Sequence, residues 1–338
     1  MTNKNIRFTV LDTFRGVAAL AIALFHFIDG WGGYIAVDFF LVLSGFILSH
    51  SYLYSDKKNS LGSFINHRIA RLYPLHVFTL ITFVLTIYIF NGGFPKYPDG
   101  TLFTLFQHLT LTHNIGLNPH GITYNPPSWS ISVEFWVNVL FILFISKSTK
   151  SIVLLGIAVV SLYFIYINTG HLDTHFSNYY GFLNSGILRG VASFFLGILS
   201  YRMYLYVLNN PKLQKGIGIT KILTTVAVAT IIFARTDKLS QLDMLAPFVF
   251  MFMVTAFSFE KGLITQFLTK FNYLGEISYS IYLNQLTVLL FIGHSLASFE
   301  LPRLLLLLIF VVVLIVYSHF TYKYIETPLR RKLRNLTK

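Results

Sequence analysis

Cysteine is absent from the chain, which excludes disulfides, thiolate metal ligands and a cysteine nucleophile. Charge is scarce: Asp, Glu, Lys and Arg make up 12% of the 338 residues, about half the share in a soluble globular protein. Acid is the scarcer sign, with 13 Asp and Glu against 26 Lys and Arg. No phosphate-binding loop or dinucleotide fingerprint occurs, so nothing in the sequence points to ATP-driven transport. Internal repeats, low-complexity tracts and a soluble domain at either end are likewise missing.

Hydrocarbon fills the chain instead. Hydrophobic residues reach 54%, with 34 Phe and 20 Tyr. Segments 77–90, 151–167 and 304–317 hold no charge at all. With their flanks they approach the roughly 20 residues that cross a bilayer core as a helix. The apolar runs are continuous rather than alternating, which favours helices over a membrane barrel. The expected fold is therefore all-α, a polytopic transmembrane helical bundle forming one domain over 1–338. About ten crossings are expected, near 9–28, 35–54, 72–90, 130–146, 151–168, 183–204, 220–235, 242–259, 277–297 and 302–322. A short helix over 102–111 is expected to lie on or dip into the membrane.

The net charge of +13 would suggest nucleic acid in a soluble protein. Here its distribution gives another reading. With the N-terminus inside, the inner segments hold 18 Lys and Arg, while the outer ones hold Lys96 and Lys238, with Arg235 and Arg303 at the membrane edge. This is the positive-inside pattern; it puts both termini in the cytoplasm and makes membrane lipid, not nucleic acid, the natural partner. Lys4 and Arg7 before an apolar core resemble a signal peptide. No small-x-small site follows His26, and Asp12 and Arg15 interrupt the segment, so the segment is read as retained.

Ionisable groups at membrane depth are costly and mark function or pairing. In LDTFRGVAALAIALFH, Arg15 and His26 are 11 residues apart. That is about three helical turns, so the two share a face some 16 Å apart along the axis. Asp12 lies within ion-pairing reach of Arg15. Ala19 and Ile22 line the stripe between, leaving room for a neighbouring helix or an elongated ligand. Asp38 and Glu134 are expected in the outer half of the membrane with His26. A histidine with a carboxylate is the usual apparatus of general base catalysis, and either acid could serve. The competing reading is that they satisfy backbone or Arg189. Arg68 and Arg71, three apart in FINHRIARLYP, put two guanidinium groups on one helix face, which suits a cytoplasmic ligand carrying phosphates. The basic tail, Arg330, Arg331, Lys332 and Arg334, is explained by the positive-inside rule alone. Ser44 and Gly45 read as helix packing, not as a nucleophile. His108, His113, His120, His171 and His175 are scattered outside, and HLDTH lacks the second half of a metal site, so no metal is expected.

The segments LDTFRGVAALAIALFH, VDFFLVLSGFILS, FINHRIARLYP, WSISVEFW, LGEISYSIYL and YKYIETPLR occur in that order along the chain. Together they resemble the acyltransferase 3 family of integral membrane acyltransferases. The resemblance implies transfer of an acyl group, commonly acetyl, from cytoplasmic acyl-CoA to a hydroxyl of a surface polysaccharide or lipid-linked sugar at the plasma (inner) membrane. Acyl-CoA is then a co-substrate and no tightly bound cofactor is implied. Residue by residue, it implies His26 as catalytic base and Arg68 and Arg71 on the donor side with Arg15. Glu134 and Asp38 fall on the family's acidic positions. The family's YLxH reads Tyr282-Leu283-Asn284-Gln285 here, and Gln285 cannot act as a base near pH 7. The extracytoplasmic hydrolase-like domain that some members append is not expected. Trp129, Tyr124, Trp136 and Trp31 are expected on the outer, sugar-facing side, with an interfacial aromatic belt as the competing reading. Self-association is left open. The rival class is a proton-coupled exporter of glycans, which would more typically show broken helices or two related halves.

Overall fold

The computed structural model describes residues 7–28, 30–55, 60–97, 100–118, 121–233 and 240–336; Lys4, His120, Arg235 and Lys238 lie outside them. A backbone with no water around it must pair its own N–H and C=O groups, and a helix does so within one segment. The first half forms α1 (Thr9–Phe27), α2 (Ala36–Leu48), α3 (Leu61–Asn91), α4 (Thr101–Leu109), α5 (Trp129–Phe144), α6 (Ser151–Thr169) and α7 (Ser185–Leu208). The second half forms α8 (Pro211–Gln214), α9 (Ile217–Phe233), α10 (Ala246–Phe257), α11 (Leu263–Leu268), α12 (Asn272–Glu276), α13 (Ser278–Ser295), α14 (Arg303–Thr321) and α15 (Thr327–Leu336). Among the described residues, the departure from an all-helical fold is a hairpin of two-residue strands, β1 (Asn178–Tyr179) and β2 (Leu183–Asn184).

Seven of the described segments are long and apolar enough to cross a membrane, beginning at Thr9, Gly33, Leu61, Pro126, Ser151, Ser185 and Arg303. The shorter apolar helices Ile217–Phe233 and Gln241–Phe257 and the more polar α13 occupy the other three expected positions. The helix expected over 102–111 is α4. The third crossing starts earlier than expected. Ser60 caps α3 by accepting from the Ser63 N–H at 3.2 Å, and the helix runs straight through Pro74. Arg68 and Arg71 are therefore inside the helix rather than before it. Beside the proline, the Tyr279 hydroxyl donates to the Leu72 carbonyl at 2.7 Å.

Two close helix crossings position the site. α2 packs along α7, and a Cβ at Gly197 would sit 2.0 Å from the Val42 carbonyl oxygen. Gly45 faces it, with the Phe194 oxygen at 2.1 Å from its notional Cβ. Small residues let backbones meet where lipid supplies no hydrophobic drive. α12 meets α1 likewise: a Cβ at Gly275 would lie 1.9 Å from the Asp12 oxygen. This clamps the turn of α1 that carries Asp12 and Arg15.

Two π turns, Ser49–Leu53 and Tyr322–Glu326, interrupt the helical runs after α2 and α14, a feature common at functional sites. In the segment after α4, His113 stacks on His108 with ring centroids 3.9 Å apart and on His76 at 5.8 Å. His76 is bonded to the His108 carbonyl at 3.0 Å, and His113 to the Ser128 carbonyl at 3.1 Å. The stack ties this segment to α3 and to the start of α5. Burial and the neighbouring His76 push the His113 imidazole down to about 3.

Gly197→Ala is expected to lower the melting temperature and folded yield in detergent, because Val42 offers backbone and not a movable side chain. Gly156→Ala, which has open space around it inside α6, is the control and should lower neither, since Ala is the better helix former. Equal behaviour of the two variants would contradict the packing argument. The histidine gives a second expectation. His113 is neutral when folded but takes a proton near 6.5 when unfolded, so the unfolded state binds more protons below that pH. Stability should then fall as pH drops from about 6.5 towards 4. A His113→Gln variant should show a shallower fall in a pH series of thermal melts; an identical slope would contradict the assignment.

Candidate active site

The site begins at a basic mouth. A cavity of about 620 Å³ is lined by seven arginines, Arg7, Arg15, Arg68, Arg71, Arg330, Arg331 and Arg334, against three acids, Asp12, Glu276 and Glu326. The acids are partly engaged. Asp12 takes Arg7 at 3.1 Å and Arg15 at 3.4 Å, and Glu276 takes Arg7 at 3.1 Å. Glu326 pairs with Arg330 at 3.5 Å and accepts from Ser280 at 2.9 Å. Arg68 is 7% exposed, with its Nε buried and without a hydrogen-bond partner among the described residues.

Three smaller cavities adjoin the mouth in series. The first, about 290 Å³, shares Arg15, Arg68 and Arg71 with it and adds Ser44 and Glu134. The next, about 40 Å³, shares Arg15, Arg71 and Glu134 and reaches Val37, Ser130 and Tyr282. Val37 and Tyr282 also wall a cavity of about 70 Å³ that contains His26, Trp129, Asp173, His175 and Arg189. Tyr282 is the partition between the last two, its hydroxyl bonded to Ser130 at 2.8 Å. Arg15 and His26, on one helix face, thus line cavities at the two ends of this series, with Tyr282 between the last two.

The acidic residues fall differently from expectation. Asp38 is fully buried and forks onto Arg189, with oxygens 2.7 Å from Nη2 and 3.1 Å from Nε. Ser193 donates to it at 2.8 Å. Arg189 spends its other N–H groups on the Leu172 carbonyl and the Tyr34 carbonyl, each at 2.9 Å. Asp38 is therefore held to Arg189 and does not line the His26 cavity; the reading that it satisfies Arg189 is the one the geometry matches. Glu134 accepts from Ser44 at 3.1 Å and sits 3.9 Å from Arg68. It was expected beside His26. The reason for the difference is local: α5 begins at Trp129, level with His26, so Glu134 lies about 7 Å deeper along the axis. The Ser44 hydroxyl is thereby spent on the Glu134 carboxylate.

Asp173 and His175 were not singled out as partners of His26, although HLDTH drew attention as a weak metal motif. Among the described residues no group of three or more His, Asp or Glu could hold a metal ion. Asp173 is the one carboxylate among the described residues lining the His26 cavity. The loop bearing it is pinned at both sides: Asp243 accepts from the Leu172 N–H at 2.7 Å and the Tyr34 hydroxyl at 2.6 Å, and Asn114 donates to the His175 carbonyl at 2.8 Å. His175 stacks on Trp129 with ring centroids 4.6 Å apart. Burial, then Arg189 and His26, push its imidazole down to about 3, so it is neutral at physiological pH.

The expected aromatic wall is divided. Trp129 lines the His26 cavity with Arg189 over its ring at 5.5 Å. Tyr124 does not: its hydroxyl donates to the Thr101 carbonyl at 2.9 Å and its backbone N–H to Tyr97 at 2.7 Å, so it is spent on the loop. The Trp136 indole donates to the Leu111 carbonyl at 2.9 Å, and Trp31 packs on Phe233. Gln285 is buried and donates to the Tyr282 carbonyl at 2.9 Å, away from the His26 cavity.

The sequence profile of the family described as an acyltransferase domain matches residues 8–320. A Rhizobium radiobacter protein named for its place in the picA locus is 34% identical over 176 residues, covering 45% of this chain and 90% of that one. The acyltransferase MdmB of Streptomyces mycarofaciens is 39% identical over 106 residues, 30% of this chain and 26% of its own. A Staphylococcus aureus protein named as a candidate O-acetyltransferase is 23% identical across 95% of this chain, which spans 57% of the relative's length. No solved structure matches the chain. The six motifs, the arginine mouth, the helix carrying Arg15 and His26, and a profile match over nearly the whole length agree: the chain belongs to the acyltransferase 3 family of membrane acyltransferases.

Proposed function

We propose that the protein transfers an acyl group, acetyl by the naming of its relatives, from cytoplasmic acyl-CoA to a hydroxyl of an extracytoplasmic or lipid-linked glycan. In this reading the chain is one membrane-embedded unit in the plasma membrane, with ten crossings and both termini in the cytoplasm. The observation that carries it is the series of adjoining cavities from the seven-arginine mouth to His26. Transfer across a membrane enzyme needs donor and acceptor to meet without opening the bilayer, and a narrow series of cavities through the bundle supplies the place.

The donor's diphosphate sits on Arg15, Arg68 and Arg71, which line both the mouth and the cavity next to it. Arginine suits this task because its planar fork grips phosphate oxygens in pairs. The pantetheine arm runs past Glu134 and Tyr282, a length near the ~16 Å rise between Arg15 and His26. His26 takes the proton of the acceptor hydroxyl as its oxygen attacks the thioester carbonyl. The tetrahedral intermediate collapses, the C–S bond breaks, and the imidazolium returns the proton to the departing thiolate. The products are the ester and CoA. Asp173, the carboxylate on that wall, steadies the imidazolium, a part first expected of Asp38 or Glu134. Asp38 acts through Arg189, fixing the floor of the cavity, and Trp129 offers a flat apolar face to a sugar ring.

Two measurements test the reading. With labelled acetyl-CoA and glycan acceptors, His26→Ala is expected to reduce transfer by roughly 100-fold or more, the usual cost of losing a positioned base, with unchanged thermal stability. Transfer at the normal rate would remove His26 from the chemistry, and vesicle uptake of glycan without acylation would favour a transporter. Arg71→Ala should raise the KM for acetyl-CoA at least about tenfold, the cost of one charged hydrogen bond, and leave the acceptor KM unchanged. An effect on the acceptor alone would overturn the donor assignment.

A further inference from the structure

The transfer reading leaves one charge without a partner. When an acceptor oxygen attacks the thioester carbonyl, negative charge gathers on the carbonyl oxygen, and enzymes meet it with donors already in place. His26 is occupied with the hydroxyl proton, and Asp173 is a carboxylate. Other donors around their cavity are few. Pro126 and Pro127 in its wall carry no N–H. The Tyr34 hydroxyl is given to Asp243 at 2.6 Å, and the Tyr282 hydroxyl is shared with Ser130 at 2.8 Å. Arg189 is turned onto Asp38 and the Leu172 and Tyr34 carbonyls. Apart from His26, the ring N–H groups in that wall, neither given to another described residue, belong to His175 and Trp129, stacked with centroids 4.6 Å apart.

His175 is firmly held. The Asn114 amide donates to its carbonyl at 2.8 Å and to Asn184 Oδ1 at 3.2 Å. That same oxygen caps α7 by accepting from the Ile187 N–H at 3.2 Å. Next to His175, the Thr174 hydroxyl donates to Ser185 at 3.3 Å. Gly186 lets the loop lie on the first turn of α7, since a Cβ there would come 2.8 Å from the His175 oxygen. The ring is thus fixed through its backbone and by the Trp129 face, as a preorganised donor must be. Its charge state also suits the task. Burial, Arg189 and His26 keep the His175 imidazole neutral at physiological pH. A neutral imidazole keeps one N–H, so it can act as an electrophile without competing for the proton that His26 carries.

Resting on the transfer reading above, we propose that His175 is a catalytic residue whose ring N–H stabilises the oxyanion of the tetrahedral intermediate. The acceptor oxygen bonds to the carbonyl carbon, the carbonyl π pair moves onto its oxygen, and that oxygen accepts from His175 at about 3 Å. When the carbonyl re-forms, the C–S bond breaks and the proton held by His26 goes to the departing thiolate. His175 donates throughout and neither gains nor loses a proton. The loop between α6 and α7 thus supplies two parts of the site, Asp173 for the base and His175 for the oxyanion.

The test uses the full chain in nanodiscs. His175→Phe keeps a ring against Trp129 and removes the N–H, His175→Gln restores a donor, and Trp129→Phe removes the indole N–H. Transfer from labelled acetyl-CoA is measured alongside calorimetric binding of coenzyme A and of S-trifluoroacetonyl-coenzyme A, a ketone analogue whose hydrate carries a tetrahedral carbon. His175→Phe is expected to lower kcat about 100-fold or more, the usual cost of one oxyanion donor. The KM for acetyl-CoA and the melting temperature should stay unchanged, and the analogue should bind more weakly while coenzyme A does not. His175→Gln is expected to stay within about tenfold of the wild type. A kcat close to wild type in His175→Phe overturns the assignment and leaves the transfer reading intact. A folded His175→Gln variant slowed about 100-fold, or a loss confined to Trp129→Phe, also overturns it. If the wild type transfers no acyl group yet binds the analogue more tightly than coenzyme A, and His175→Phe removes that difference, the donor stands and the transfer reading fails.

Discussion

A charge left alone inside a helix bundle in lipid has no solvent, and the fork between Asp38 and Arg189 is where this protein meets that constraint most severely. Breaking such a buried pair costs about 3–5 kcal/mol, because the surviving charge is stranded. The pair does more than cancel itself. Arg189 also holds the Leu172 and Tyr34 carbonyls, and Ser193 completes the carboxylate. Three segments distant in sequence, the start of α2, the loop before α7 and α7 itself, are thereby fixed around one small cavity. His26, Asp173 and Trp129 face one another there because that pair cannot be moved cheaply.

The same constraint sorts the other ionisable groups into those that satisfy one another and those that face a water-sized space. Asp38, Arg189 and Asp243 belong to the first kind and make the scaffold around the His26 cavity, with Arg189 also forming part of its wall. Arg15, Arg68, Arg71 and Glu134 belong to the second and line the inward path. Glu134 opposes the arginines at their innermost point, where a donor's uncharged arm would pass and an unbalanced positive field would hinder release. Gly275 against Asp12, and Gly45 against Gly197, bring the backbones close enough for the line to be narrow.

Much of this was legible because helical spacing is a local property. Arg15 and His26 share a face by arithmetic, Arg68 and Arg71 by another step of it, and the apolar runs announce helices. The partners were not legible. Asp38 meets Arg189 across 151 residues, a distance no periodicity spans. Glu134 falls beside Arg68 rather than His26 because it lies five residues along α5 from Trp129, a step of about 7 Å, too small for a reading of helix ends to resolve. Tyr124 read as a sugar-facing aromatic, yet its hydroxyl closes its own loop. Asp173 went unnoticed because HLDTH suggests a metal, and its neighbour His26 is in another helix. The tail helix read as topology because nothing local reveals that its arginines share a cavity with Arg15, Arg68 and Arg71.

The central claim is that one continuous line joins the arginine mouth to His26. A cryo-electron microscopy structure with a non-hydrolysable thioether analogue of acetyl-CoA tests it most directly. The account predicts phosphates on Arg15, Arg68 and Arg71 and Tyr282 turned aside. The sulfur should then lie beyond Val37, with the acyl carbon close enough to His26 for a hydroxyl to fit between at about 3 Å from each. An arm that stops on the cytoplasmic side of an unmoved Tyr282, or a nucleotide bound away from the arginines, would contradict it.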